Sequence, residues 1–140
     1  MDYNKIEDGL YQGGMLGRVP SEINAIINLR SEVNDKLDPG QVRAYVWLPI
    51  DDVDFWPGDT WLDTAADILA SLRYFGLNVL VHCAAGISRA SMVVCGYLIR
   101  HRGMTFDQAM EYICKHRPVA CPNPTFTEHL KAYSRKLRDR

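Results

Sequence analysis

The stretch Asn78-Val79-Leu80-Val81-His82-Cys83-Ala84-Ala85-Gly86-Ile87-Ser88-Arg89 decides the fold. Its first half is a continuous apolar run, the pattern of a short strand covered on both faces. Its second half is made of small residues and leads into Met92, Val93, Val94, Tyr97, Leu98 and Ile99. That following segment is apolar nearly all round, which predicts a buried helix from about Arg89 to Arg102, ended by Gly103. Strand, tight loop and buried helix in this order predict an α/β domain.

The same alternation continues outward. Ala25-Ile26-Ile27-Asn28-Leu29 and Ala44-Tyr45-Val46-Trp47-Leu48-Pro49-Ile50 read as further strands. Between the second of these and Asn78, Leu62, Ala65, Leu69 and Leu72 recur at helical spacing. Thr60 with Asp63 offers a capping box for that helix, and Gly76 a stop. Thr105 with Gln108 offers another box, for a helix through about His116 halted by Pro118. Phe126, Leu130, Tyr133 and Leu137 mark the apolar face of a last helix. Its opposite face, with Lys131, Arg135, Lys136 and Arg138, reads as a solvated charge face. Trp47 and Trp61 are expected in the core. Asp51-Asp52-Val53-Asp54-Phe55-Trp56-Pro57-Gly58-Asp59 is irregular, acidic and aromatic, a candidate functional loop. For Phe55 or Trp56, flanking an aromatic substrate is the lesser alternative.

The chain has 140 residues and a formal net charge of -1. That length suits a single domain over residues 1–140, able to bury a core without disulfides or metal. The charge gives no reason to expect nucleic-acid or membrane binding, so any anion site must be local. The start, Met1-Asp2-Tyr3-Asn4-Lys5, does not read as a secretory leader, and no run approaches a membrane span. Cys83, Cys95, Cys114 and Cys121 include no Cys-x-x-Cys pair, so reduced thiols in a cytoplasmic monomer are expected. His82, His101, His116 and His129 are not spaced like a zinc site. No metal and no cofactor are expected.

The loop after the third strand carries the chemistry. A turn from a strand end into a helix N-terminus presents several backbone N–H groups to one point, and the helix dipole adds positive potential. Ala84, Ala85 and Gly86 let the backbone curl closely around a ligand; Ile87 and Ser88 complete the cradle. Arg89 can give two parallel hydrogen bonds to a phosphate. Cys83 sits at the mouth, where the field that holds an oxyanion also favours a thiolate. A thiolate facing a bound phosphoryl group is a nucleophile. His82 is expected to buttress the loop. A buried structural cysteine beside a helix-capping loop is the ordinary alternative for either residue alone. Cys83 and Arg89 together, in this context, favour chemistry.

His82-Cys83-Ala84-Ala85-Gly86-Ile87-Ser88-Arg89 resembles the His-Cys-x5-Arg signature of protein tyrosine phosphatases, and in particular the small dual-specificity branch. Ile6-Glu7-Asp8-Gly9-Leu10-Tyr11-Gln12-Gly13 resembles that branch's opening strand, and Leu48-Pro49-Ile50-Asp51-Asp52 its acid loop. Thr105-Phe106-Asp107-Gln108-Ala109 resembles its late helix. Arg117-Pro118-Val119-Ala120-Cys121-Pro122-Asn123 resembles the turn that props its phosphate loop, with Asn123 as a supporting residue. The resemblance implies a mostly parallel twisted sheet with helices on both faces. It implies a phosphorylated protein as substrate, with a pocket shallow enough for phosphoserine and phosphothreonine as well as phosphotyrosine. Of Asp51, Asp52, Asp54 and Asp59, it makes Asp52 the general acid, with Asp54 second. Neutral Ala84, Ala85 and Ile87 argue against inositol lipids and RNA ends; a glucan phosphatase, an arsenate reductase and a phosphate-binding protein with little turnover are the other readings. One departure stands out. The residue after the signature arginine is usually Ser or Thr, whose hydroxyl bonds the catalytic sulfur, and here it is Ala90.

Overall fold

The computed structural model describes residues 2–14 and 17–138, so Met1 of the leader reading lies outside the described residues. The elements, in chain order, are β1 (Tyr3–Glu7), β2 (Leu10–Gly13), β3 (Ala25–Arg30), β4 (Ala44–Ile50), α1 (Asp59–Tyr74), β5 (Val79–His82), α2 (Arg89–Arg102), α3 (Phe106–His116) and α4 (Pro124–Arg138). The strands form one sheet in the order β1-β2-β5-β3-β4. β2, β5, β3 and β4 are parallel; β1 pairs antiparallel with β2. The expected opening strand is therefore a hairpin, broken at Asp8-Gly9. Gly9 takes a φ of 85°, the left-handed conformation that such a turn requires.

Parallel strands place their carboxyl ends on one edge. The segments after β2, β3, β4 and β5 all emerge there, the usual place for a site in an open α/β sheet. β5 lies between β2 and β3, buried along its whole length, as its unbroken apolar run requires.

Side chains alternate across the sheet. Ala25, Ile27, Leu29, Val79 and Val81 point into the larger core, which also takes Leu62, Ala66 and Leu69 from α1, nearly all of α2, Ile113 from α3, and Phe126 and Leu130 from α4. Burying Phe126 and Leu130 stabilises the docking of α4 by about 1.5–3 kcal/mol per side chain. Ile26 and Leu80 face the other way, with Tyr11 and Ile23, under Val19, Leu37 and Val42. The four helices thus share one face, and irregular segments cover the second. This corrects the expectation of helices on both faces. The chain runs from β3 to β4 through residues 31–43, which carry only isolated apolar side chains and no helical period.

Local signals account for most boundaries. α3 has its capping box: the Thr105 side chain accepts from the Gln108 N–H, and the Gln108 side chain accepts from the Thr105 N–H. Gly103 closes α2 in the left-handed conformation. The box expected from Thr60 and Asp63 does not form. α1 starts earlier, capped by Gly58 with no side-chain bond, so Thr60 already lies in its first turn. Asp63 instead accepts from Arg100 (3.1 Å) and from the Tyr133 hydroxyl. Trp61 packs against the core as expected, but Trp47 does not belong to it. It lies on edge strand β4, 39% exposed, and donates from Nε1 to the Arg30 carbonyl at 2.7 Å.

Candidate active site

The loop from Cys83 to Ser88 is held from outside by its carbonyls. Arg117 Nε donates to Gly86 O at 2.8 Å and Arg117 Nη2 to Ala85 O at 3.0 Å. Gln12 Nε2 reaches Gly86 O at 3.1 Å. Ile87 O accepts from the Cys121 N–H at 2.8 Å and from the Ser91 hydroxyl at 2.5 Å. With the carbonyls engaged outward, the amides are left over. Among the described residues, the N–H groups of Ala84 through Ser88 have no protein acceptor. Unpaired amides beside a helix N-terminus form an anion cradle.

Close backbone packing fixes this curl. Gly86 has a φ of 69°, and a Cβ there would lie 2.3 Å from the Gly13 carbonyl carbon. The Cys83 N–H donates to Gly13 O at 3.3 Å. Cys83 itself is 2% exposed at the base of the cradle. Ala84, Ala85 and Ile87 are exposed at its rim, and Ser88 is buried.

Arg89 opens α2 and is almost wholly buried. Its Nη1 donates to Glu32 at 2.9 Å and to the Ile50 carbonyl at 3.0 Å. Nε and Nη2 have no partner among the described residues, which leaves two parallel donors for a bound oxyanion. Glu32, just past β3, was not singled out by the sequence reading. Its bond to Arg89 holds its carboxyl below the usual range.

His82, expected to buttress the loop, bonds the segment after β3. Its ring is fully buried and donates from Nε2 to Asp35 at 2.6 Å; Asp35 also accepts from Arg30 at 2.5 Å. Burial holds the His82 pKa below its ordinary value, against the raising effect of Asp35. A neutral ring therefore locks the segment after β3 to the end of β5.

Asn123 joins three elements. Its N–H donates to Ser88 Oγ at 2.9 Å, and its side-chain amide donates to Asp52 Oδ1 at 2.9 Å and to Val53 O at 3.1 Å. Its side-chain oxygen accepts from the Phe126 N–H at 2.9 Å, capping α4 with Pro124 in the first helical position. One turn thus ties the Asp52 loop to the phosphate cradle. Asp51 instead accepts from the Ser31 hydroxyl. Asp59 bonds Trp56 (3.0 Å) and Lys136 (2.9 Å), which removes it from the candidates. Trp56 stacks on His129 with centroids 5.0 Å apart. Of the two aromatics placed beside a substrate, only Phe55 stays free, 65% exposed.

Arg117 is another residue that sequence reasoning left without a role. It is 0% exposed, and besides the two loop carbonyls it binds both carboxylate oxygens of Asp2 (3.1 and 3.0 Å) and Asn4 Oδ1 (2.7 Å). A charged residue is fully buried only when paired. Nothing in its flanking sequence announces partners more than a hundred residues away.

A mostly parallel sheet with a Cys-x5-Arg cradle at its carboxyl edge is the arrangement that the signature resemblance implied. The comparisons agree. The model of the dual specificity phosphatase catalytic domain matches residues 19–136. Dual specificity protein phosphatase 1 of Arabidopsis thaliana is 30% identical over 139 residues, covering 95% of this chain and 69% of that protein. Dual specificity protein phosphatase 15 of Mus musculus is 32% identical over 146 residues, covering 96% and 60%. The crystal structure of a mouse putative dual specificity phosphatase complexed with zinc tungstate superposes with a TM-score of 0.87 at 27% identity, covering 98% of this chain and 89% of that one. The chain belongs to the dual specificity phosphatase family. It spans less than two thirds of the mouse relative's length and 31% of a Xenopus relative's.

Proposed function

We propose that the protein hydrolyses phosphotyrosine, and also phosphoserine and phosphothreonine, in proteins through a cysteinyl-phosphate intermediate. The observation that carries this is the cradle itself: free loop amides and a half-free Arg89 fork around Cys83. In the first step the Cys83 thiolate attacks phosphorus and the P–O bond to the substrate breaks. Arg89 and the loop N–H groups hold the three non-bridging oxygens as charge builds on them. Asp52 delivers its proton to the departing oxygen, which leaves as a neutral alcohol or phenol. In the second step Asp52, now ionised, takes a proton from water. The water oxygen attacks phosphorus, the S–P bond breaks, and inorganic phosphate and the thiolate are restored. The Asn123 bond to Asp52 supports Asp52 over Asp54, which has no hydrogen-bond partner among the described residues.

A non-protein substrate is the second reading. The structure of PTPMT1 in complex with PI(5)P shares the fold, with a TM-score of 0.81 at 21% identity, covering 99% of this chain and 97% of that one. The rim residues Ala84, Ala85 and Ile87 bring no cation to such a headgroup. A turnover profile across phosphotyrosine, phosphoserine and phosphothreonine peptides, a phosphoinositide and an RNA 5′ triphosphate tests the assignment. Peptide turnover that vanishes in Cys83→Ser is the expected result. Turnover of the lipid or RNA alone would overturn the protein-substrate reading.

A further inference from the structure

Beside the cradle, a groove of about 520 Å³ leads away from Ile87 and Ser88 between the Asp52 loop and the start of α4. Its walls include Ile87, Pro122, Pro124 and Thr127, with Asp52 at one side and Glu128 at the other. A second recess, lined by Asp52, Val53, Asp54 and Pro124, joins it through the residues they share. The combined trough is walled by apolar carbon, carries the carboxylates of Asp52, Asp54 and Glu128, and has no Lys or Arg in its lining. Ile87 (38%) and Val53 (51%) are exposed large apolar side chains here. Lys131, one turn beyond Glu128, is 3.8 Å from its carboxylate but sits over the Phe106 ring, on the α3 side.

We infer that this trough is the subsite for the substrate residues flanking the phosphorylated side chain, and that it selects peptides with a cationic and an apolar neighbour. The inference rests on the phosphatase reading and names its substrate class. The trough is continuous with the phosphate cradle, so a chain whose phosphate reaches Cys83 must lie along it. The cation that the cradle offers to a phosphate is Arg89. The charged side chains in the trough's lining are acidic. A second phosphate, or an acidic neighbour, meets repulsion; a Lys or Arg meets attraction, while its aliphatic stem lies on Ile87 and the prolines. Exposed pairs contribute modestly one by one; Asp52 holds its proton for the leaving oxygen, and the Asp54 and Glu128 carboxylates, attracting a cation and repelling an anion, together correspond to roughly a tenfold difference between the two at low salt.

Three phosphotyrosine peptides of equal length, with Lys-Leu, Ala-Ala or Glu-Glu beside the phosphotyrosine, test this, with an aryl phosphate run alongside. The Lys-Leu peptide should exceed the Glu-Glu peptide in kcat/KM by about tenfold at low ionic strength, the gap closing as salt is added. In Glu128→Lys the gap should shrink to about twofold or invert, and Glu128→Gln should fall between. Equal rates for the three peptides, with the aryl phosphate still turned over, would overturn the trough alone. So would an unchanged ranking in Glu128→Lys. Faster turnover of a soluble inositol phosphate than of any peptide would overturn it too. No turnover of any phosphate ester would overturn the phosphatase reading and the trough with it.

Discussion

Replacing Ala90 with serine should speed the slow half of the reaction. Ala90 is fully buried, one residue into α2 and next to Arg89. In the family this position usually carries a hydroxyl that bonds the catalytic sulfur. Ser91 is the nearest substitute in sequence, but one helical step turns its side chain about 100° away. Its proton is also committed: the hydroxyl donates to Ile87 O at 2.5 Å and accepts from Gln12 Nε2 at 2.8 Å. A hydrogen bond to a thiolate contributes about 1.5–3 kcal/mol, or roughly one to two powers of ten in rate. Attack on the substrate needs only a nucleophilic sulfur, so the first step keeps its speed. Hydrolysis of the intermediate needs sulfur to leave, and slows. Stopped-flow mixing with an aryl phosphate should show a burst of phenol followed by slower steady release, with phosphoenzyme accumulating. Ala90→Ser should raise the steady rate and shrink the burst. No burst in the native protein, together with no gain from Ala90→Ser, would mean that another group such as Ser88 or a bound water supplies the donor.

Other substitutions have equally direct readouts. Cys83→Ser should abolish turnover while vanadate still raises its melting temperature; residual activity near wild type would place the nucleophile elsewhere. Asp52→Asn should lower turnover of a phosphopeptide by about a hundredfold and of an aryl ester with a good leaving group by less; the same pattern from Asp54→Asn instead would move the acid two residues. Arg117→Met should cost about 1–3 kcal/mol, since it leaves Ala85 O without a donor and Gly86 O with Gln12 alone, and should lower vanadate stabilisation; urea melts with and without vanadate measure both. His82 has a lowered native pKa. Its contribution is present above the unfolded value of about 6.5 and is lost as pH falls through the native one, because only the unfolded chain then takes up the proton. Urea melts from pH 7.5 to 5 should show that decline, and His82→Gln should flatten it.

The parts of the fold that were legible are those set by local chemistry. β5 and α2 follow from an unbroken apolar run and an all-round apolar helix. Gly76, Gly103 and the Thr105–Gln108 box fall where the chain turns. The hairpin was missed although Asp8-Gly9 is a turn dipeptide, because the flanking strands are only five and four residues long and show little alternation. Trp47 was misplaced because an edge strand leaves one face to solvent, and edge position is a property of the sheet. Within the site, the contiguous run from His82 to Arg89 was legible as one strand–loop–helix segment, because its pattern is local. Glu32, Arg117, Asp35 and Gln12 were not, since each acts on the cradle from a distant segment and none carries a local pattern. Asn123 and Asp52 came from family likeness; their mutual bond is visible only once α4 is docked.

The Glu32 pairing bears on how a cycle of turnover ends. A guanidinium facing an anion alone would grip inorganic phosphate almost as firmly as the ester it replaced. Here one side of Arg89 is already answered by a carboxylate that stays ionised throughout the neutral range. Selectivity for the ester over its product must then come from the organic part of the substrate. For the reaction proposed above, such an arrangement trades tight capture of phosphate for prompt discharge.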